Sequence, residues 1–408
     1  MSQRGVVLYL HVHQPWRVRP YSLFDVGTRH DYFSHSPTPE QDNELLFHKI
    51  AEKSYRPMNA LLEDLLTRFP NFKISLSITG PFLEQAEQFA PDVLESFQRL
   101  VATGRVEILS ETYYHSLAFF YDREEFEAQV QIHREKIREL FGVETKVFRN
   151  TELAYNNDLA SWADQAGFDG ILAEGWDPIL GWRSPNYVYK PAGAERIRLL
   201  MKNYKLSDDI AFRFSDQSWP SWPLTAGTYH HWLNSAMQDA PLVNLFMDYE
   251  TYGEHQWSDT GIFSFFERFV EGWLHDEGNA FYTVSEAIHQ QEPQGEISVP
   301  YTTTWADSER DLTAWLGNDL QREALRHLYA LKNSVMSSGD LSLIADWRKL
   351  QTADHVYYMC TKWAQDGDVH SYFSPYDSPF NAFLHYMNAV RDIQWRAELQ
   401  TNGDNSHE

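Results

Sequence analysis

Residues 243–257 read Val-Asn-Leu-Phe-Met-Asp-Tyr-Glu-Thr-Tyr-Gly-Glu-His-Gln-Trp. The opening Val243, Leu245, Phe246 and Met247 are apolar and mostly strand-forming, so they predict a buried β-strand. The texture then changes, and Asp248, Glu250, Glu254 and His255 fall within eight residues. An apolar strand that runs into ionisable groups is the pattern of a parallel strand whose carboxyl end opens onto the chemistry of an α/β barrel. The plainer reading is a strand followed by a solvated acidic loop. The rest of the chain decides between them.

Working outward, the same pattern recurs. Residues 6–13 form a run that ends in His11-Val-His13, and 72–79 alternate cleanly. Strand-like stretches at 105–109, 146–149, 170–173 and 196–201 end in Glu111, Glu152, Glu174-Gly-Trp176 and Lys202. Helical spacing fills the gaps at 45–69 (interrupted at Pro57), 82–102, 122–140 and 157–166, and again after the seventh strand. Seven strand–helix alternations predict parallel strands joined by right-handed crossovers. A doubly wound open sheet would gather its chemistry at one switch point. Here at least five strand tips carry candidate groups: His11/His13, Glu111, Glu152, Glu174/Trp176 and Asp248/Glu250. That favours an α/β fold with a seven-stranded (β/α)7 barrel over residues 1–285. Beyond it the spacing turns helical, apart from a short strand at 296–299. An all-helical C-terminal domain is expected over 286–400, lending loop 303–315 to the active site. Residues 401–408 are polar and are expected to form a disordered tail.

The 408 residues carry 34 Lys plus Arg against 58 Asp plus Glu, a net charge of −24. That sign argues against nucleic acid and against anionic membranes as partners. One cysteine, Cys360, excludes an intramolecular disulfide and a cysteine-based zinc site. The apolar run 6–10 is too short for a signal-peptide core, and no stretch reaches the roughly 18–20 apolar residues of a membrane helix. A cytoplasmic address is expected. Aromatic residues make up 15%; they suit the C–H faces of sugar rings and equally fill a large core.

His11 and His13, two apart on a strand, share a face. Such a pair can bind a metal, hydrogen-bond sugar hydroxyls, or pack in the core. No metal motif such as His-Glu-X-X-His occurs, so substrate binding is preferred and no metal or other cofactor is expected. Glu152 and Asp248, at the tips of the fourth and seventh strands, could supply the two carboxyls that glycosidic cleavage needs. One protonates the leaving oxygen and the other attacks or activates water. The acid needs a raised pKa, from burial or a like-charged neighbour such as Glu250. Glu152 follows Arg149, which could help keep it ionised. Most carboxylates merely face solvent, and only the barrel brings these two together. Trp16, Trp176, Trp219, Trp222, Trp257 and Trp305 lie in expected loops and are candidates for a sugar groove. Asp307 either pairs with Arg310 to order its loop or binds sugar hydroxyls.

Five ordered motifs sharpen this reading. His11-Val-His-Gln-Pro15, Gly104-Arg-Val-Glu-Ile-Leu109, Phe148-Arg-Asn-Thr-Glu-Leu153, Met247-Asp-Tyr-Glu-Thr-Tyr-Gly-Glu-His255 and Trp305-Ala-Asp-Ser-Glu-Arg-Asp-Leu-Thr-Ala-Trp315 resemble, in order, the five sequence regions of glycoside hydrolase family 57. The resemblance is closest to its α-amylase branch and runs from the first strand to about residue 318. It implies a (β/α)7 barrel followed by a helical bundle, acting without a metal on α-glucans with retention of configuration. It also implies that Glu152 is the nucleophile and Asp248 the acid/base. The expected function is therefore a retaining, α-amylase-like hydrolase of starch, glycogen or maltooligosaccharides that works through a covalent glycosyl-enzyme. His11, His13, Glu111, Trp176, Glu250, Trp305 and Asp307 are then the expected substrate-binding residues, with Glu254 and His255 at the rim. Within the same family, 4-α-glucanotransferase or branching activity is the alternative. Outside it stand a metal-dependent carbohydrate deacetylase, with His11, His13 and Asp248 as ligands, and a non-catalytic glucan-binding protein, which has no need of both carboxylates.

Overall fold

The computed structural model describes residues 4–362 and 374–404. Among the described residues ten strands form: β1 (Arg4–Val12), β2 (Ile74–Ile78), β3 (Val106–Ile108), β4 (Val147–Phe148), β5 (Gly170–Glu174), β6 (Val188–Pro191), β7 (Arg198–Lys202), β8 (Leu242–Asp248), β9 (Asn279–Tyr282) and β10 (Glu296–Ile297). All seven strands expected from the alternating pattern are among them, as is the short strand near 296. The strands make two five-stranded sheets, in the orders β3-β2-β1-β8, with β9 also on β1, and β10-β6-β7-β5-β4. Pairing is parallel except between β6 and β7. On β1, β9 takes residues 4–7 and β2 takes residues 9–12, so the two share one edge in succession. Main-chain hydrogen bonds also join strands of the two sheets. Ser110 N donates to Val147 O and Arg149 N to Ser110 O, each at 2.8 Å, and Asn203 N donates to Asn244 O at 2.8 Å.

β6 and β9 escape a reading by pattern. Each has four residues, too few for a period to stand out, and β6 ends in Pro191; both owe their form to the neighbour they pair with. Proline also explains where helices differ from expectation. The predicted 82–102 helix is two, Gly80–Phe89 and Pro91–Ala102, because Pro91 has no N–H to donate and is accepted only in a first turn. Pro57 likewise lies in the first turn of Arg56–Arg68, directly after a π-helical turn over Ala51–Tyr55, instead of breaking a helix.

The chain divides into two compact units. The first holds the residues up to His13, then His48–Glu111 and Gln131–Trp305. All ten strands lie in it, and its core contains Val7, Tyr9, Leu109, Val147, Leu172, Leu200, Leu242 and Phe246. These are alternate residues of parallel strands, the inward row that a pleat produces.

The second unit holds Gln14–Phe47, Thr112–Val130 and the described residues from Ala306 onward. Its core packs Trp315, Leu325, Leu328, Trp347, Tyr386 and Ile393 with Val18, Tyr21, Tyr32 and Leu117. Polar networks stitch it together: Arg348 clasps Glu125 with bonds of 2.9 and 3.1 Å. Buried Asp392 accepts from Gly27 N at 2.6 Å, His30 at 2.7 Å and the Tyr32 hydroxyl. The boundary expected at 285/286 is therefore corrected. Two early segments carry apolar residues that belong to the later core, and the first unit runs on to Trp305. The last helix, Pro379–Asp404, extends four residues into the stretch expected to be a tail; residues 405–408 lie outside the described residues. Among the described residues no helix is long and apolar enough to cross a membrane.

Candidate active site

The pleat of the first unit builds the site. Each inward row of core residues continues, two positions further along, into an ionisable side chain. Tyr9 is followed by His11, Leu109 by Glu111, Val147 by Arg149, Leu172 by Glu174, Leu200 by Lys202 and Phe246 by Asp248. The side-chain period of two therefore carries six polar groups to the floor of one centre. His11 and Asp248 are register partners on β1 and β8. The His11 ring lies between two carboxylates, with Nε2 3.3 Å from Glu111 Oε2 and Nδ1 3.6 Å from Asp248 Oδ1. Arg149 Nη1 is 3.5 Å from the same Glu111 oxygen, and neither of those side chains is exposed. The rings of His11 and His13 stack at 5.6 Å, as their shared face predicts, and His13 Nδ1 is 2.9 Å from Thr79 Oγ1.

A buried guanidinium is costly unless acids surround it. Burial pushes Arg149 toward its neutral form, but Tyr9, Glu111, Glu152 and Asp248 outweigh it and keep the charge. Glu111 is steadied from behind, since its N–H donates to His133 Nδ1 at 3.5 Å while His133 Nε2 donates to Ile78 O at 2.9 Å. That tautomer fits a histidine whose pKa burial has lowered.

The two acids of the β8 tip titrate in opposite directions. Burial alone would raise Asp248. Its bond to His11 and the charges of His11, His255 and Arg149 more than reverse this and hold it at about 2. The Asp248 side chain is 42% exposed, so the free protein presents an ionised carboxylate to the solvent. Glu250, expected to tune Asp248 or to bind sugar, is the group whose pKa is raised: burial, then the charge of Asp248, takes it to about 8. Its Oε1 accepts from the Tyr55 hydroxyl at 2.6 Å and from His13 N at 3.2 Å. The expectation of a raised pKa on Asp248 is thus corrected, the first cause being its hydrogen bond to His11.

Glu152 sits on a short helical turn, Thr151–Leu153, just past β4. Trp305 Nε1 donates to Glu152 Oε2 at 2.8 Å. Arg149 and Lys202 lie 5.1 and 5.3 Å from the centroid of the Trp305 ring, and His11 makes an edge contact with it at 6.4 Å. Of the nine residues expected to form the site, His11, His13, Glu111, Glu152, Asp248, Glu250 and Trp305 are brought together. Trp176 is not tied in; it caps the helix Asp177–Leu180, half-exposed, and joins no described hydrogen bond or ring contact of this network. Asp307 belongs to the second unit, where its carboxylate pairs with Lys362 at 2.6 Å. Arg310 bonds the Asp307 carbonyl and not the carboxylate, so the expected Asp307–Arg310 ion pair is replaced by one with Lys362. Loop 303–315 correspondingly divides between the units after Trp305. Sequence reasoning left Lys202 and Tyr55 out. Lys202 carried a signal, being the polar residue two past Leu200. Tyr55 carried none, because it lies inside a helical turn.

Comparison with known proteins follows from this geometry. The family model described as glycosyl hydrolase family 57 matches residues 7–300. A protein of Methanocaldococcus jannaschii, provisionally named an alpha-amylase, is 39% identical over 96% of this chain and 84% of its own length. The 4-alpha-glucanotransferase of Thermococcus litoralis is 24% identical over 69% of this chain, which spans 41% of that protein's length. Among solved structures, the GH57-type branching enzyme of Pyrococcus horikoshii superimposes with a TM-score of 0.66 at 15% identity, covering 91% of this chain and 87% of that one.

Proposed function

The chain belongs to glycosyl hydrolase family 57, and from that premise we propose that it cleaves α-1,4 bonds of an α-glucan or maltooligosaccharide with retention of configuration. Glu152 attacks the anomeric carbon while Asp248 protonates the leaving oxygen; Asp248 then takes a proton from the water that releases the glycosyl-enzyme. The observation that carries this reading is the contact between Trp305 and His11. Trp305 donates to Glu152 at 2.8 Å and meets the His11 ring edge-on at 6.4 Å, and that ring lies 3.6 Å from Asp248, which supports a common centre for the two carboxylates.

Asp248 has to carry a proton when the bond breaks. A sugar that fills the site expels water, and desolvation, already the largest influence raising Asp248, then favours the neutral form with the proton on the carboxyl. His13, Glu111 and Glu250 order the walls of the sugar subsite. The fold that supports this chemistry is a closed (β/α)7 barrel of β1, β2, β3, β4, β5, β7 and β8, a reading that rests on the main-chain bonds linking β3 to β4 and β7 to β8.

Digestion of maltooligosaccharides followed by proton NMR tests the proposal. Retention releases the α-anomer first, whereas initial β-anomer, or full turnover by a Glu152→Gln variant, sinks it. Transfer of the glycosyl group to a second sugar instead of water uses the same two carboxylates and is the activity named for the Thermococcus litoralis relative. Chain lengths of the products separate the two.

A further inference from the structure

Glu152 and Leu153 hold consecutive positive φ angles of 57° and 51°. Neither residue favours that region, so the turn has to be held against its preference. Segment 303–305 holds it. Thr303 and Tyr155 exchange two main-chain hydrogen bonds of 3.0 and 2.9 Å, and Trp305 N donates to Glu152 O at 3.1 Å. Trp305 then grips the same residue a second time, through Nε1–H to the carboxylate. The indole is itself held: Arg149 and Lys202, both buried, lie against it, and Lys202 is anchored by Asp208 at 3.0 Å. Cations on a π-system are attracted to it, and they withdraw electron density from the ring, which strengthens the N–H as a donor.

We propose that Trp305 is a positioning residue for Glu152, fixing the turn by its main chain and the carboxylate by its indole, with Arg149 and Lys202 holding and polarising that indole. This rests on the reading of Glu152 as nucleophile. An active-site tryptophan ordinarily serves as a platform for a sugar ring. Here the N–H is committed to a carboxylate and two cations lie against the ring, so the side chain acts on the protein's own attacking group. Reaction rates respond steeply to misplacement of that group.

The test is steady-state kinetics of Trp305→Phe, Trp305→His, Lys202→Met and Glu152→Ala on maltooligosaccharides. Trapping of the glycosyl-enzyme by a fluorinated glucosyl fluoride, read by mass spectrometry, accompanies it. Loss of a hydrogen bond to a charged group predicts a kcat for Trp305→Phe roughly ten- to hundred-fold lower, with KM little changed and slower trapping. Histidine, which keeps a ring N–H, should recover part of the loss. Lys202→Met, which leaves Trp305 in place, should lower kcat in the same direction by less. A raised KM with unchanged kcat in Trp305→Phe identifies a sugar platform and overturns the proposal, as does a histidine variant no better than phenylalanine. Should Trp305→Phe fail to fold, an unchanged kcat in Lys202→Met overturns it. Glu152→Ala separates the two layers. Retained turnover there removes the nucleophile assignment itself, whereas an inactive Glu152→Ala beside a fully active Trp305→Phe removes only the role of Trp305.

Discussion

Glu250→Gln is the perturbation whose outcome can be worked furthest. Glu250 is 5% exposed and its pKa lies at about 8 against an ordinary 4.5, driven first by burial and then by Asp248. The folded protein therefore keeps a proton that the unfolded chain releases near 4.5. Stability from that difference is complete below 4.5 and is lost as pH rises through about 8. The gap is 3.5 units, which at about 1.4 kcal/mol per unit amounts to about 5 kcal/mol across the window. Glutamine keeps a carbonyl oxygen to accept from Tyr55 and His13 but has no proton to lose. Urea unfolding of both proteins at several pH values between 4.5 and 8 follows this group, because Asp248, the carboxylate coupled to it, is ionised throughout that window. The variant should gain on the wild type steadily across the window and be the more stable protein at its upper end. Parallel stability profiles would refute the argument, since they would mean that Glu250 ionises in the fold as it does in the unfolded chain.

Four further outcomes are expected. Asp248→Asn should cut kcat by roughly a thousand-fold or more, since it removes the proposed acid/base. The same variant should flatten the acid side of the stability profile: Asp248 is held at about 2 against 3.8, so its contribution is present above 3.8 and lost as pH falls through about 2. Arg149→Met takes the guanidinium away from Glu111, unexposed and 3.5 Å away, and urea unfolding should show a loss of roughly 3–5 kcal/mol. Gly253→Ala should destabilise by roughly 1–3 kcal/mol in a thermal melt, because φ there is 109° and a Cβ would lie 1.9 Å from Lys53 O.

The strands were legible because a buried parallel strand announces itself twice, by an apolar body and by a polar tip. Residues 243–248 show both, and the same grammar located His11, Glu111 and Glu152. What the pattern could not supply was partnership. Asp248 and Glu250 look alike in sequence, yet His11, His255 and Arg149 hold one ionised while burial and the charge of Asp248 keep the other protonated. Tyr55 was invisible because a helical turn delivers it from outside the strand order. The unit boundary was hidden for a related reason. Val18, Tyr21, Tyr32 and Leu117 are unremarkable apolar residues of early loops, and nothing local to them names the later helices as their core.

The first unit is left three times along the chain, directly after His13, Glu111 and Trp305, and is re-entered twice. Neither unit is therefore a cassette. A fragment ending at Trp305 would still carry residues 14–47 and 112–130, severed from the tryptophans and tyrosines that cover their apolar side chains, and should be prone to aggregate. Recombination that trades the helical unit between relatives has to exchange three stretches at once. Three of its splice points directly follow residues of the proposed active centre, so such an exchange would put His13, Glu111 and Trp305 each at a junction.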